Sequence, residues 1–177
     1  MTRIRIAALL AFPILAACSE RNPIAPRAAA VAATVDVTLA ASSLRPAGGR
    51  CDTDVTNLPP LAGDPPNLVR LHLEFVCQLK HLGRVTGIAE QIVIFTGPTT
   101  GIAFHTATYI AANGDNLFAS FTGNNTITGP NVAISGSDTY TGGTGRFAGA
   151  SGSASISGAA SLITNTGQFT LEGTLSY

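Results

Sequence analysis

The sequence predicts an all-β chain that closes into a single small antiparallel barrel of about eight strands. Three observations carry this. Apolar and polar side chains alternate with a period of two through much of the chain, turns rich in Gly, Asn and Thr divide the runs at short spacing, and no segment has a helical period. From Gly97 to Tyr177 the charged residues are Asp115, Asp138, Arg146 and Glu172 alone. An open sheet so poor in charge would leave its edges without the residues that deter edge-to-edge pairing. Closure removes the edges, so a barrel is expected rather than a sandwich.

The N-terminal elements set the location. Arg3 and Arg5 precede an apolar run from Ile6 to Leu15, which has the charged and apolar regions of a secretory signal. That run is too short for a bilayer span, which needs roughly 20 apolar residues. Leu15-Ala16-Ala17-Cys18 resembles the bacterial lipobox, in which small residues admit the peptidase and the cysteine thiol takes a diacylglyceryl group. Residues 1–17 are therefore read as a lipoprotein signal peptide, and Cys18 as the lipidated N-terminus of the mature chain. The alternative is an ordinary signal with an incidental cysteine. Several acyl chains hold a protein to a membrane far more firmly than one. The reading places the chain on the extracytoplasmic side of the cell envelope. Ser19, where sorting rules would otherwise look for Asp, favours the outer membrane if the host is Gram-negative. Residues 18–33, with Pro23, Pro26 and an alanine run, read as a flexible tether.

Residues 34–66 are expected to hold one strand, marked by Val35, Val37 and Leu39, followed by a long loop from Ser42 to Asn67. Its prolines Pro46, Pro59-Pro60 and Pro65-Pro66 argue against a central strand there. The barrel is then expected over residues 67–177. From Leu68 to Leu79 the parity Val69, Leu71, Leu73, Phe75, Cys77, Leu79 is dry, and Arg70, His72, Glu74 and Gln78 stand opposite. Further strands are expected over Arg84–Thr96, Ile102–Ala111, a run through Leu117, Ala119 and Phe121, Val132–Thr141, Ala150–Ile163 and Gln168–Tyr177. Asn113-Gly114 marks a hairpin between two of them.

The cysteines fit an oxidising compartment. With Cys18 acylated, Cys51 and Cys77 remain as an even pair, read as a disulfide with two separate buried thiols as the alternative.

Tyr140-Thr141-Gly142-Gly143-Thr144-Gly145-Arg146-Phe147-Ala148-Gly149-Ala150-Ser151-Gly152 resembles the glycine-rich turn and following strand of the dirigent and allene oxide cyclase barrels. Together with Cys77 to Arg84, Ala111 to Asp115 and the terminal Gly173 to Tyr177, it is similar to bacterial exported proteins with an allene oxide cyclase barrel-like domain. The resemblance covers roughly residues 67–177 and implies an eight-stranded, calycin-like barrel. It carries over no catalytic residue, because the matching segment is a structural turn, and fold does not imply function. Read from the residues alone, Gly142, Gly143 and Gly145 suit a tight corner, Phe147 plugs one barrel end and Arg146 faces solvent. The functional alternative there is an anion-binding nest of backbone N–H groups.

Composition excludes some functions. The formal charge is zero, and removing Arg3 and Arg5 from the 10 basic residues leaves 8 against 10 acidic ones. That provides no basic stripe for nucleic acid. His72, His81 and His105 are not paired at metal-ligand spacing, and neither a metal nor a cofactor is expected. His72 falls on the wet parity of its strand. His81, Glu74 and Glu90 are the candidates for a ligand contact or proton transfer at the barrel mouth, and no Gly-x-Ser-x-Gly elbow joins a strand to a helix. Tyr109 and Tyr177 read as rim residues. Five phenylalanines, Phe75, Phe95, Phe104, Phe121 and Phe147, are the candidates for filling the interior. Ala103, Ala107, Ala119, Ala133 and Ala154 are those for leaving space inside. The functional expectation is a non-catalytic barrel, anchored to a membrane, that binds a small apolar ligand or serves as an envelope surface module. The alternatives are an isomerase or cyclase acting on an apolar substrate and a purely structural barrel.

Overall fold

The computed structural model describes residues 43–177; Cys18, the tether and the strand expected at Val35–Leu39 lie outside them. Nine strands follow one another: β1 Leu44–Pro46, β2 Gly49–Leu58, β3 Leu68–Leu79, β4 Gly83–Phe95, β5 Thr100–Ala111, β6 Asn116–Thr128, β7 Asn131–Gly143, β8 Ser151–Ser161 and β9 Thr166–Ser176. Each of β2 to β8 pairs antiparallel with the next, and β9 pairs with both β8 and β2. The eight strands β2–β9 thus form a closed barrel. Strand β1 continues the line of β2 along β9, from Leu44 opposite Ser176 to Pro46 opposite Thr174. The Ala47 N–H donates to the Gly173 carbonyl at 2.9 Å and bridges the two pieces.

The expected loop between Ser42 and Asn67 needs correcting, since it contains β1 and the barrel strand β2. The prolines bound β2 and do not interrupt it: Pro46 ends β1, and Pro59-Pro60 follow Leu58. Cys51 and Thr53 turn inward while Arg50, Asp52 and Asp54 turn out. The alternation was present but weak in contrast, because the inward Thr53 is polar. Its hydroxyl donates to the Glu74 carbonyl at 3.1 Å.

The other strands fall within a few residues of expectation, and their dry parities face the interior. Phe75, Cys77 and Leu79 of β3 are buried, while Glu74 is exposed. The barrel has two unlike ends. At one, a 3-10 turn at Gly145–Phe147 drives Phe147 into the opening, where it is buried and meets Tyr177 edge-on at 5.0 Å between ring centroids. Leu117, Leu171, Leu175 and Val85 are also fully buried. The other end carries the turns β2–β3, β4–β5, β6–β7 and β8–β9.

Three side chains depart from expectation. Phe104 and Ala133 point outward, because they share parity with Ile102 and Thr106 and with Asn131 and Ser135. Tyr109 sits inside, 2 % exposed, because it shares parity with Ala103 and Ala107. The remaining alanines of the expected set, Ala103, Ala107, Ala119 and Ala154, are buried inside.

Candidate functional site

A cavity of about 310 Å³ occupies the half of the barrel away from the Phe147 plug. That volume is at the lower edge of the roughly 300–1,000 Å³ found for small-molecule sites. Its wall is largely apolar: Val69, Leu71, Leu73, Phe95, Ile127 and Ile156 come from four strands. Leu162, in the β8–β9 turn, lies at its mouth and is 54 % exposed.

The floor is polar, and strand register builds it. Gln91 of β4 lies opposite His105 of β5, His105 opposite Phe121 of β6, and Phe121 opposite Asp138 of β7. These four form one row across four neighbouring strands. The His105 ring stacks on Phe121 at 4.5 Å between centroids and an interplanar angle of 16°. Stacking brings its Nδ1 to 3.2 Å from Gln91 Oε1 and its Nε2 to 3.4 Å from Asp138 Oδ1. The Tyr109 hydroxyl donates to Asp138 Oδ2 at 2.5 Å. One row beside Phe121 is made of glycine on both strands, Gly123 opposite Gly136. A Cβ on Gly123 would fall 2.3 Å from the Phe121 ring and one on Gly136 would fall 2.5 Å from it, so both glycines make room for the ring that carries His105.

Asp138 is fully buried. Its Oδ1 lies 3.4 Å from His105 Nε2 without an aligned hydrogen bond, so that oxygen remains unsatisfied. Burial first, and then the adjacent Asp138 carboxylate, push the Tyr109 hydroxyl well above the ordinary tyrosine range, and Tyr140 is raised for the same two reasons. Both phenols therefore stay protonated, and Tyr109 remains a donor. Asn125, 7 % exposed and part of the cavity wall, also has an Oδ1 without a partner. A buried acceptor left unpaired costs about 1–3 kcal/mol, so such atoms mark places where a ligand or water completes the bonding.

The residues singled out from sequence do not assemble here. Glu74 and Glu90 do converge, but on the outer surface, where they flank His72. His72 Nδ1 lies 2.5 Å from Glu90 Oε1, and that hydrogen bond is the main reason its pKa is raised. His81 occupies the β3–β4 turn at the plugged end with a φ of 63°. The expectation of these three at the barrel mouth is thus replaced by His105, Asp138, Tyr109, Gln91 and Asn125. A signal for these five existed: each is a polar residue on the dry parity of its strand. Cys51 and Cys77 face each other in register across β2 and β3 and are joined by a disulfide inside the barrel wall.

In the glycine-rich turn, Gly142 and Gly145 adopt positive φ, Gly143 does not, and Arg146 is partly exposed over the Phe147 ring. The nest there is filled by the chain's own Asp115, whose Oδ2 accepts the Arg146 N–H at 3.2 Å. That bond is the main cause of the lowered Asp115 pKa. A larger concavity, about 1060 Å³, runs over the outer face of β2, β3, β8 and β9. It is an open surface on which Arg50 donates to Gln168 at 2.6 Å and Gln168 to Asp52 at 2.8 Å. The interior, with its unpaired acceptors, is the better-built site. Among the described residues no group of three His, Cys, Asp or Glu is placed to hold a metal ion.

No protein-family model matches the sequence, and no curated protein matches it. Among solved structures the chain is similar to a pterocarpan synthase dirigent protein, PsPTS1, at 14 % identity and a TM-score of 0.48, over 76 % of this chain and 96 % of that one. A second pterocarpan synthase dirigent protein, GePTS1, has 15 % identity and a TM-score of 0.48, over 77 % and 92 %. A protein of unknown function from the DUF3224 family of Shewanella oneidensis has 11 % identity and a TM-score of 0.41, over 74 % and 96 %. Likenesses this distant carry no argument about activity.

Proposed function

We propose that the chain is an exported, lipid-anchored barrel that holds one small apolar molecule in its interior. The observation that carries this reading is the 310 Å³ cavity, apolar along its walls and polar at its floor, in a barrel plugged at the opposite end. A purely structural barrel has no use for such space, and filling it with side chains would add stability. A lipid on Cys18 would support the same reading by bringing the protein to a membrane, where apolar molecules concentrate. Native mass spectrometry of protein purified from its own envelope tests the ligand. A co-purifying small molecule, lost when Ala160 in the cavity wall is replaced by Phe, is the expected result. An empty barrel that also fails to bind an environment-sensitive dye would overturn it. Cys18→Ala should move the protein from the membrane to the soluble fraction, and unchanged membrane fractionation would contradict the anchor.

One observation favours a second reading, proton-transfer catalysis on the bound molecule by an isomerase or cyclase. The imidazole of His105 lies beside the cavity with Nδ1 3.2 Å from Gln91 Oε1 and Nε2 3.4 Å from the buried Asp138 carboxyl. A base orientated by a buried carboxylate is a recurring arrangement for moving a proton. Incubation of the co-purified ligand with the protein in D2O distinguishes the two. Deuterium entering carbon positions, and absent with His105→Gln, would make the barrel an enzyme; no uptake leaves it a binder.

A further inference from the structure

We infer that the cavity selects an apolar molecule ending in a hydrogen-bond donor, a hydroxyl or an ammonium group, over one ending in a carboxylate. This rests on the ligand-binding reading above and deepens it.

The cavity has buried acceptors without partners and no Lys or Arg in its lining. Two hydroxyl donors there are already engaged. The Tyr109 hydroxyl is given to Asp138, and the Thr53 hydroxyl to the Glu74 carbonyl. Two acceptors are unpaired. Asn125 Oδ1 lies in the cavity wall, buried and without a partner, and Asp138 Oδ1, beside His105, is likewise unsatisfied. No Lys or Arg is among the residues that line the cavity. A ligand carboxylate would find neither of these there, and it would bring a second acidic group toward the buried Asp138. A hydroxyl or ammonium would instead supply the hydrogen that Asn125 lacks. Its apolar body would lie along Val69, Leu71, Leu73 and Ile127 toward the mouth. Recognition of this kind is strong because the loser leaves a buried polar atom unpaired, and an unpaired acceptor is worth about tenfold or more in affinity.

The test is a matched series of probes with one alkyl chain: 1-decanol, decylamine, decanoate and decane at pH 7. The protein is the full chain carrying Cys18→Ala, which keeps every barrel residue and needs no detergent. Binding is read by displacement of an environment-sensitive dye and checked by native mass spectrometry. Decanol and decylamine should bind at least about tenfold more tightly than decanoate. Asn125→Leu should shrink the gap between decanol and decane to within about threefold. The ranking on the chain with Asn125 intact stands whether or not that variant folds. Equal binding of all four probes would leave the cavity a ligand site and overturn the headgroup selection. Tightest binding by decanoate would overturn it too, and would mean that Asn125 turns its amide nitrogen inward. No binding by any probe would overturn both this inference and the reading on which it rests.

Discussion

Reducing the bond between Cys51 and Cys77 isolates one contribution to stability. The two residues are 26 apart in sequence and face each other across β2 and β3. Both are essentially fully buried, and a free thiol behaves in such a place as a small apolar group. Reduction therefore leaves the folded wall packed and mainly releases the unfolded chain. Closing a loop of that length removes roughly 12 cal/mol/K of chain entropy, about 3.5 kcal/mol at 25 °C. For a domain of roughly 135 residues, 1 kcal/mol corresponds to about 3–5 °C in Tm, so the expected fall is about 10–17 °C. The assay is a thermal melt followed by far-ultraviolet circular dichroism, with and without a phosphine reductant. Alkylation and mass measurement confirm that both thiols are free, and Cys51→Ala with Cys77→Ala provides the chemical control. A fall of less than about 3 °C in fully reduced protein would refute the reasoning, because the unfolded chain would then gain almost nothing from release.

Other perturbations probe the floor and the surface. Tyr109→Phe removes the hydroxyl from Asp138 Oδ2 and should cost about 1–3 kcal/mol, seen as a lower urea midpoint at unchanged slope. Gly123→Ala, whose added carbon meets both the Phe121 ring and the Ser135 carbonyl, should cost about 1–3 kcal/mol and weaken ligand binding by displacing His105; unchanged stability would show that the ring moves freely. Asp64 accepts two hydrogen bonds from Arg70 at 2.7 Å, which hold its carboxyl at about 2 against an ordinary 3.8. Its contribution is present above 3.8 and lost as pH falls toward 2, so wild type and Asp64→Asn should differ at pH 5 and converge near pH 2 in urea melts. His72 has the opposite sign. Its raised pKa makes the Glu90 contact stabilising below 6.5 and progressively lost above its folded value, so wild type and His72→Gln should differ at pH 6 and approach each other in alkaline buffer.

Much of the barrel was legible because side-chain direction in a strand follows from position alone. The dry parity of β3 could be read from Val69 to Leu79, and the scarcity of charge after Gly97 argued for closure. Strand β2 was lost because prolines at its borders outweighed a weak alternation around Thr53. The floor was missed for a related reason. His105, Asp138 and Asn125 look like solvated residues when judged by type, although their parity with Ala103, Tyr140 and Phe121 places each of them inside.

What the sequence determined by itself is which face of each strand is dry, because a two-residue period needs no knowledge of neighbours. What only the tertiary structure decided is which polar residues share a row. Register sets Gln91, His105, Phe121 and Asp138 level across β4 to β7, while Glu74, Glu90 and His72 meet on the opposite surface. The separations within the Gln91, His105, Phe121 and Asp138 row, from 14 to 47 residues, contain nothing about that alignment. It follows from hydrogen-bond pairing, where a shift of one residue would exchange the inside of a strand for its outside.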